Sequence, residues 1–229
     1  MINLKSIRLI TLVAFIKIAS LIFYLYLDVT DKITGNYTRY LLMGLSLTTF
    51  IVIVFYLLGI LKFLREGNAV LIAFKVFVGF ELISFAVNIA VSMLLFPKLH
   101  YSYLYINYYY GIIEIIRFFI LLYLTIQLAR IQDAILRPSF VFFGGALLVA
   151  CILITVTPFY TAYIIQSMSV KPPANIMRHI YTYAGMANIL PLIAVLIILN
   201  QVQERLNYVE ETAKKDPFLT GYEEKSEEK

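Results

Sequence analysis

Four ionisable residues lie near the middle of segments that are otherwise apolar enough for a lipid bilayer: Lys17, Glu81, Glu114 and Arg117. A charged side chain at the bilayer centre costs about 2.5–3.5 kcal/mol, so these groups are expected to face a protein interior and to pair there. The spacing predicts an ion pair between Glu114 and Arg117 along one helix. A second pair, between Lys17 and Glu81, is predicted across two helices.

On the first, third and fourth segments, polar residues recur three or four positions apart from these charges. At about 100° per residue they share a helix face with the charges, and we call each such row a stripe. Because successive helices cross in opposite directions, the stripes all extend from one membrane surface to the middle of the bilayer. Most of the 18 tyrosines also fall near that surface. The stripes predict a polar vestibule that binds a small polar or charged solute or an ion, lined by Lys17, Ser20, Tyr24, Glu81, Ser84, Asn88, Asn107, Tyr110, Glu114 and Arg117.

Six long apolar segments must position these residues. Each reaches about the 20 residues that a helix needs to cross the hydrocarbon core. The segments are 7–27, 40–61, 69–96, 104–128, 140–165 and 180–199. A composition of 61% hydrophobic and 14% charged residues agrees with a membrane protein. We therefore predict an all-α, polytopic helical membrane protein with six transmembrane helices in one bundle over residues 1–205.

The charged tail, residues 206–229, is predicted to be cytoplasmic and partly disordered. Lys and Arg are more frequent on the side that both termini share than on the opposite side, which holds only Lys32, Arg39, Lys98, Lys171 and Arg178. The positive-inside rule therefore predicts cytoplasmic termini.

Two further features concern packing. Kinks are expected at Pro158 and Pro191, and a small-residue contact face on the fifth segment is expected from Gly144, Gly145, Ala146 and Ala150.

Several function classes are disfavoured by the residues. The net charge of +5 is spread over short connections rather than gathered on one face, which argues against nucleic-acid binding. A thiol enzyme would need Cys151 near His179, but the two are predicted at different depths, and no catalytic residues are assigned. His100 and His179 have no clustered carboxylates beside them, so no metal site is expected. No cofactor motif is present.

A sensor or assembly role remains as the alternative to solute binding. In the tail, Ala213, Asp216, Pro217, Leu219, Thr220 and Gly221 resemble the opening of the diguanylate cyclase domain that follows many membrane sensors. Phe218 breaks the spacing of that motif and its following Asn-Arg-Arg is absent, so the short likeness does not place the chain in that family. It implies a sensor whose segment 201–215 docks a cytoplasmic or membrane partner. The expected partners are thus the lipid bilayer with either a small solute or a protein.

Overall fold

A computed structural model describes residues 2–30, 36–94, 103–167 and 174–215 of the chain. Within these ranges it contains α-helices and no β-strand, which confirms the all-α prediction. The helices are α1 (Leu4–Val29), α2 (Asn36–Phe63), α3 (Asn68–Leu94), α4 (Tyr103–Leu128), α5 (Arg137–Ser167), α6 (Ala174–Met186) and α7 (Ile189–Lys215).

Six stretches of these helices are long and apolar enough to cross a membrane, as the sequence predicts. They are Leu4–Leu27, Gly44–Phe63, Asn68–Val87, Gly111–Leu128, Arg137–Thr157 and Thr182–Val209. Large apolar side chains cover their outer surfaces; Leu9 is 60% exposed and Phe119 is 62% exposed. Such a surface is unfavourable in water and suits acyl chains. The chain is a multi-pass membrane protein.

The helices pack as a closed ring. Neighbours along the chain contact each other from α1 to α5; α5 then contacts both α6 and α7, which return to α1. The N-terminus, the α2–α3 connection and the α4–α5 connection lie at one end of this ring, which we call the terminal face. Two hydrogen bonds at this end join distant parts of the chain: Ser6 Oγ lies 2.9 Å from the Tyr56 hydroxyl, and Gln132 N–H donates to Glu66. The opposite end is the far face.

The buried core fills the half of the ring nearest the terminal face. Its fully buried members come from every span and include Ile7, Leu57, Leu124 and Ile198. Four phenylalanines contact one another where this core meets the middle of the bundle, with ring centroids 6.1–6.4 Å apart. We call them the aromatic floor: Phe50, Phe74, Phe77 and Phe143. The half of the bundle nearest the terminal face is thus closed by apolar packing, which agrees with the apolar sequence of that half.

The sixth span is not one helix. A turn at Ala187 and Asn188 separates α6 from α7, and Pro191 supplies the physical reason. A continuous helix would need the N–H of residue 191 to bond the Ala187 carbonyl, but proline has no N–H and its ring crowds that carbonyl. Leu190 N–H bonds Ala187 O instead, at 3.1 Å. The predicted distortion at Pro191 is therefore confirmed as a break, whereas α5 continues through Pro158 as a single helix.

The small-residue face on α5 is confirmed at Gly144, where α4 approaches closely. A Cβ on Gly144 would lie 2.8 Å from Thr125 Oγ1 and 3.1 Å from Thr125 Cα. A Cβ on Gly145 would meet nothing within 4 Å, so including Gly145 in that face was wrong. Adjacent helical residues point about 100° apart, which places Gly145 away from the α4 contact.

We expect Gly144→Ala to lower the unfolding free energy by about 1–3 kcal/mol, because the added methyl pushes against the α4 backbone. The measurement is thermal unfolding of the purified protein in detergent. Gly145→Ala is the matched control, since it makes the same change one residue away in open space. Equal unfolding temperatures for the two variants would contradict the close α4–α5 contact.

Candidate functional site

Arg117 on α4 organises the charged residues in the middle of the bundle. Its Nε donates to Glu81 Oε1 at 2.9 Å and its Nη2 donates to Glu81 Oε2 at 3.4 Å. Its Nη1 donates to Glu114 Oε1 at 2.5 Å. A guanidinium presents five donors in a rigid fork, so one arginine can hold two carboxylates from two helices. The predicted Glu114–Arg117 pair is confirmed.

The predicted pair between Lys17 and Glu81 was wrong. Lys17 Nζ donates to Ser46 O at 2.6 Å and to Ser46 Oγ at 2.7 Å. Its ammonium also lies 5.9 Å from the centre of the Phe50 ring, in the geometry of a cation–π contact. The reason is helix order: α1 packs against α2, which carries Ser46, while Arg117 from α4 occupies the Glu81 carboxylate.

Lys17 and Glu81 line one cavity. Its volume is about 380 Å³, and residues from all six spans line it. A second cavity of about 310 Å³ adjoins it, and the two share Lys17, Ser46, Phe50, Glu81 and Arg117. Leu47 and Phe85 line only the second cavity and lie one turn nearer the far face than Phe50 and Glu81. The charged residues therefore border a cavity whose lining includes three members of the aromatic floor, Phe50, Phe77 and Phe143.

Most of the cavity wall is apolar. The walls of the larger cavity include Phe50, Phe77, Leu147, Leu192 and Val195. Charged groups beside an apolar wall and near the centre of a membrane give a site in which a few polar contacts orient a ligand and the walls select its shape. A mostly apolar lining with a few polar groups is also typical of small-molecule pockets in other proteins.

The ten predicted site residues divide into three groups. Lys17, Glu81 and Arg117 line the cavity, and Glu114 joins them through Arg117. Three others are placed by the structure but are not among the residues that line the two cavities: Ser20, Tyr24 and Ser84. Ser20 Oγ donates to the carbonyl of Lys17 on its own helix at 2.8 Å. The side chains of the remaining three, Asn88, Asn107 and Tyr110, lie outside the described residues.

Sequence reasoning missed three polar residues of the cavity. Ser46 lies in a span without a charged residue near its centre, so no stripe drew attention to it. Asn188 lines the cavity from the turn before α7, and its Nδ2 donates to the Gly185 carbonyl at 3.2 Å. Cys151 lines the cavity from α5, and its Sγ lies 3.8 Å from Glu114 Oε2. For Asn188 the sequence did offer a signal, because it lies three residues before Pro191, and a proline within a membrane span commonly interrupts the helix.

A second polar cluster lies at the terminal face. Helix α2 ends in a Schellman motif, with Arg65 at φ 53° and Glu66 N–H bonded to Leu61 O at 3.1 Å. This turn directs Glu66 into the bundle, where its carboxylate is 5% exposed and accepts the N–H groups of Gln132 and Asp133 at 3.0 and 3.3 Å. The α2–α3 and α4–α5 connections are thereby fixed to each other.

Asp133 then joins this cluster to α7. Its Oδ1 accepts the Ile135 and Leu136 N–H groups at 3.1 Å, and its Oδ2 pairs with Arg205. Partial burial raises the pKa of Asp133, but the bonds from Leu136 and Arg205 outweigh it and hold that pKa below the ordinary 3.8.

A depressed pKa makes part of the stability pH-dependent. The ionised Asp133 stabilises the fold above pH 3.8, and this contribution is lost as the pH falls through the lower folded-state pKa. We expect Asp133→Asn to be less stable than the wild type near neutral pH and to show a smaller loss of stability on acidification, because Asn retains the cap but cannot titrate. Unfolding temperature against pH measures this; identical acid profiles would contradict it.

No family model, curated protein or solved structure matches this chain. The described residues also contain no group of three His, Cys, Asp or Glu placed to hold a metal ion. Function must therefore be inferred from the cavity and its charges.

Proposed function

We propose that this membrane protein binds a small polar or charged solute in the mid-membrane cavity and exchanges it with the aqueous phase at the far face, as a transporter or solute-binding subunit. One observation carries the proposal: Lys17, Glu81 and Arg117 line a single cavity among all six spans. Ionisable residues inside a membrane face protein interiors or cavities and commonly mark the path of a solute or ion.

The alternative is that these charges only fix helix packing. A purely structural network would be expected to pair every charge directly, since an unpaired charge in a membrane is costly. The fork of hydrogen bonds from Arg117 to Glu81 and Glu114 fits that role. Lys17 does not fit it, because its ammonium donates to the carbonyl and the hydroxyl of Ser46, which carry no charge, and it borders the cavity. An ammonium in this position favours a ligand or water in the cavity.

The break in the sixth span supports the same function. Non-helical backbone at membrane depth is tolerated where it borders a cavity or is buried in protein, and broken helices often form the binding sites of transporters. Asn188, in the turn between α6 and α7, lines the cavity. The interruption therefore lies at the site and not at a lipid-facing position.

The Lys and Arg distribution assigns the terminal face to the cytoplasm under this proposal. The far face is then external, and the aromatic floor separates the cavity from the cytoplasm. A solute would enter from outside and stop above Phe50 and Phe77. Movement past them would require the floor to rearrange, as in alternating access.

The native thiol provides the test, since Cys151 is the single cysteine of the chain and lines the cavity. A membrane-impermeant, charged methanethiosulfonate reagent applied to intact cells should modify Cys151 if the cavity is hydrated and open to the far face. The matched control is Cys151→Ser with Ile152→Cys: residue 152 is at nearly the same depth and 44% exposed on the outer surface, so it should not react.

Two results would contradict the proposal. In the first, Cys151 resists the reagent in the folded protein but reacts after denaturation, which would indicate a dry interior. In the second, the cysteine at position 152 reacts as fast as Cys151, which would place water on the outer surface of the bundle.

A docking function is the second candidate, and the length of α7 favours it. The helix continues to Lys215, beyond the end of the apolar stretch at Val209, and Tyr208 is 71% exposed. Deletion of residues after Tyr208 distinguishes the two functions. If the truncated chain complements a deletion of its gene, the cavity carries the function. If it folds and labels at Cys151 but fails to complement, the tail does.

A further inference from the structure

Lys17 presents an ammonium to the cavity, held by neutral acceptors. An ammonium has three N–H donors, and Ser46 accepts from Nζ twice, through its carbonyl and its hydroxyl. Both acceptors are neutral, so they orient the ammonium without cancelling its charge. The remaining donor and the uncancelled charge suit a carboxylate.

Glu81 presents a carboxylate to the same cavity. Two carboxylates, Glu81 and Glu114, share the single guanidinium of Arg117, so the trio carries one excess negative charge when both carboxylates are ionised. Glu81 borders both cavities, and each carboxylate oxygen has lone pairs beyond those that Arg117 uses. This edge of the cavity therefore suits an ammonium.

The two charged groups face one cavity and do not pair with each other. Lys17 and Glu81 line the same two cavities, yet their ion pairs and hydrogen bonds go to Ser46 and Arg117 respectively. A simple anion would neutralise Lys17 and leave the excess negative charge, and a simple cation would do the reverse. A molecule that carries both charges neutralises both and adds no net charge to the membrane interior.

We infer that the ligand of the proposed solute site is a small zwitterion with an apolar body, such as an apolar α-amino acid. Its carboxylate lies against Lys17 and its ammonium against Glu81. The inference rests on the proposed function. The apolar wall formed by Phe77, Leu147 and Leu192 accommodates the body, and a cavity of about 380 Å³ is near the lower end of the range for ligand pockets, about 300–1,000 Å³.

Protection of Cys151 from the thiol reagent tests this assignment with three probes of similar shape. L-Leucine carries both charges, 4-methylpentanoate carries only the carboxylate, and 3-methylbutylamine carries only the ammonium. We expect leucine to halve the labelling rate at a concentration about tenfold lower than either single-charge probe, because each of these leaves one buried charge without its partner.

Three outcomes overturn the zwitterion and leave the solute cavity intact, provided that Cys151 labels without probes: protection by 4-methylpentanoate equal to that by leucine, equal protection by 3-methylbutylamine, and protection by none of the three. Absence of labelling in the folded protein overturns the proposed function as well. The two failures are therefore distinguishable in one assay.

Charge removal at Lys17 gives a second readout. Lys17→Gln should fold, since it takes an ionised group out of the membrane interior, and it should lose the tenfold preference for leucine over 3-methylbutylamine. Lys75→Gln is the control, because Lys75 is exposed on α3 and does not line either cavity. An unchanged preference in Lys17→Gln would overturn the assignment of the carboxylate to Lys17.

Discussion

Arg117→Gln is expected to prevent recovery of folded protein in detergent or to lower its unfolding temperature severely. The substitution leaves Glu81 and Glu114 facing each other in the middle of the membrane without their shared cation. Removing one partner of a buried ion pair costs about 3–5 kcal/mol, and here one cation serves two carboxylates. A protein has only about 5–15 kcal/mol of stability in total. Size-exclusion chromatography and thermal unfolding measure the effect.

Neutralising the carboxylates should restore the fold. In the triple variant Glu81→Gln, Glu114→Gln and Arg117→Gln no charge remains in the trio, so most of the stability lost in Arg117→Gln should return. Arg205→Gln is the control for loss of a guanidinium at an exposed pair, since Arg205 is 51% exposed, and it should cost about 1 kcal/mol or less. If Arg117→Gln unfolds at the wild-type temperature, water already solvates these half-buried side chains and Arg117 is not needed to stabilise the two carboxylates.

Phe77→Ala is expected to destabilise the protein by about 3–5 kcal/mol and to open the aromatic floor. The Phe77 ring is 1% exposed, lies edge-on to Phe50 and Phe74 with centroids 6.3 and 6.1 Å away, and also lines the cavity. Its loss removes the packing between the cavity and the closed core. Thermal unfolding gives the stability, and labelling of Cys151 in inside-out vesicles gives access from the terminal face.

The wild type should resist labelling from the terminal face and Phe77→Ala should label there. Phe119→Ala is the control, because Phe119 is 62% exposed on the outer surface and its truncation opens no path. Rapid labelling of the wild type from both faces would show that the aromatic floor does not separate the cavity from the terminal face. A stable Phe77→Ala without new access would show that neighbouring side chains collapse into the space.

The amino-acid sequence determined the helices and their placement in a membrane. A helix needs about 20 apolar residues to cross a bilayer, and only the internal hydrogen bonds of a helix satisfy the backbone there, so six such segments leave few alternatives. The cost of placing a charge in the membrane likewise predicts, from the sequence alone, that Lys17, Glu81, Glu114 and Arg117 face the protein interior. The Glu114–Arg117 pair followed because residues three apart share a helix face.

Only the tertiary structure decided which helices meet across that interior. The sequence shows which face of a helix points inward, but the side chain that it meets there depends on which helices are neighbours in the ring. Among the described residues, helix α1 packs against α2 and not against α3. Lys17 therefore donates to Ser46, and Arg117 forms ion pairs with both Glu81 and Glu114. The cavity that Lys17 and Glu81 line likewise comes from how six helices fit together, since the space left between packed helices is a property of the whole bundle and of no single segment.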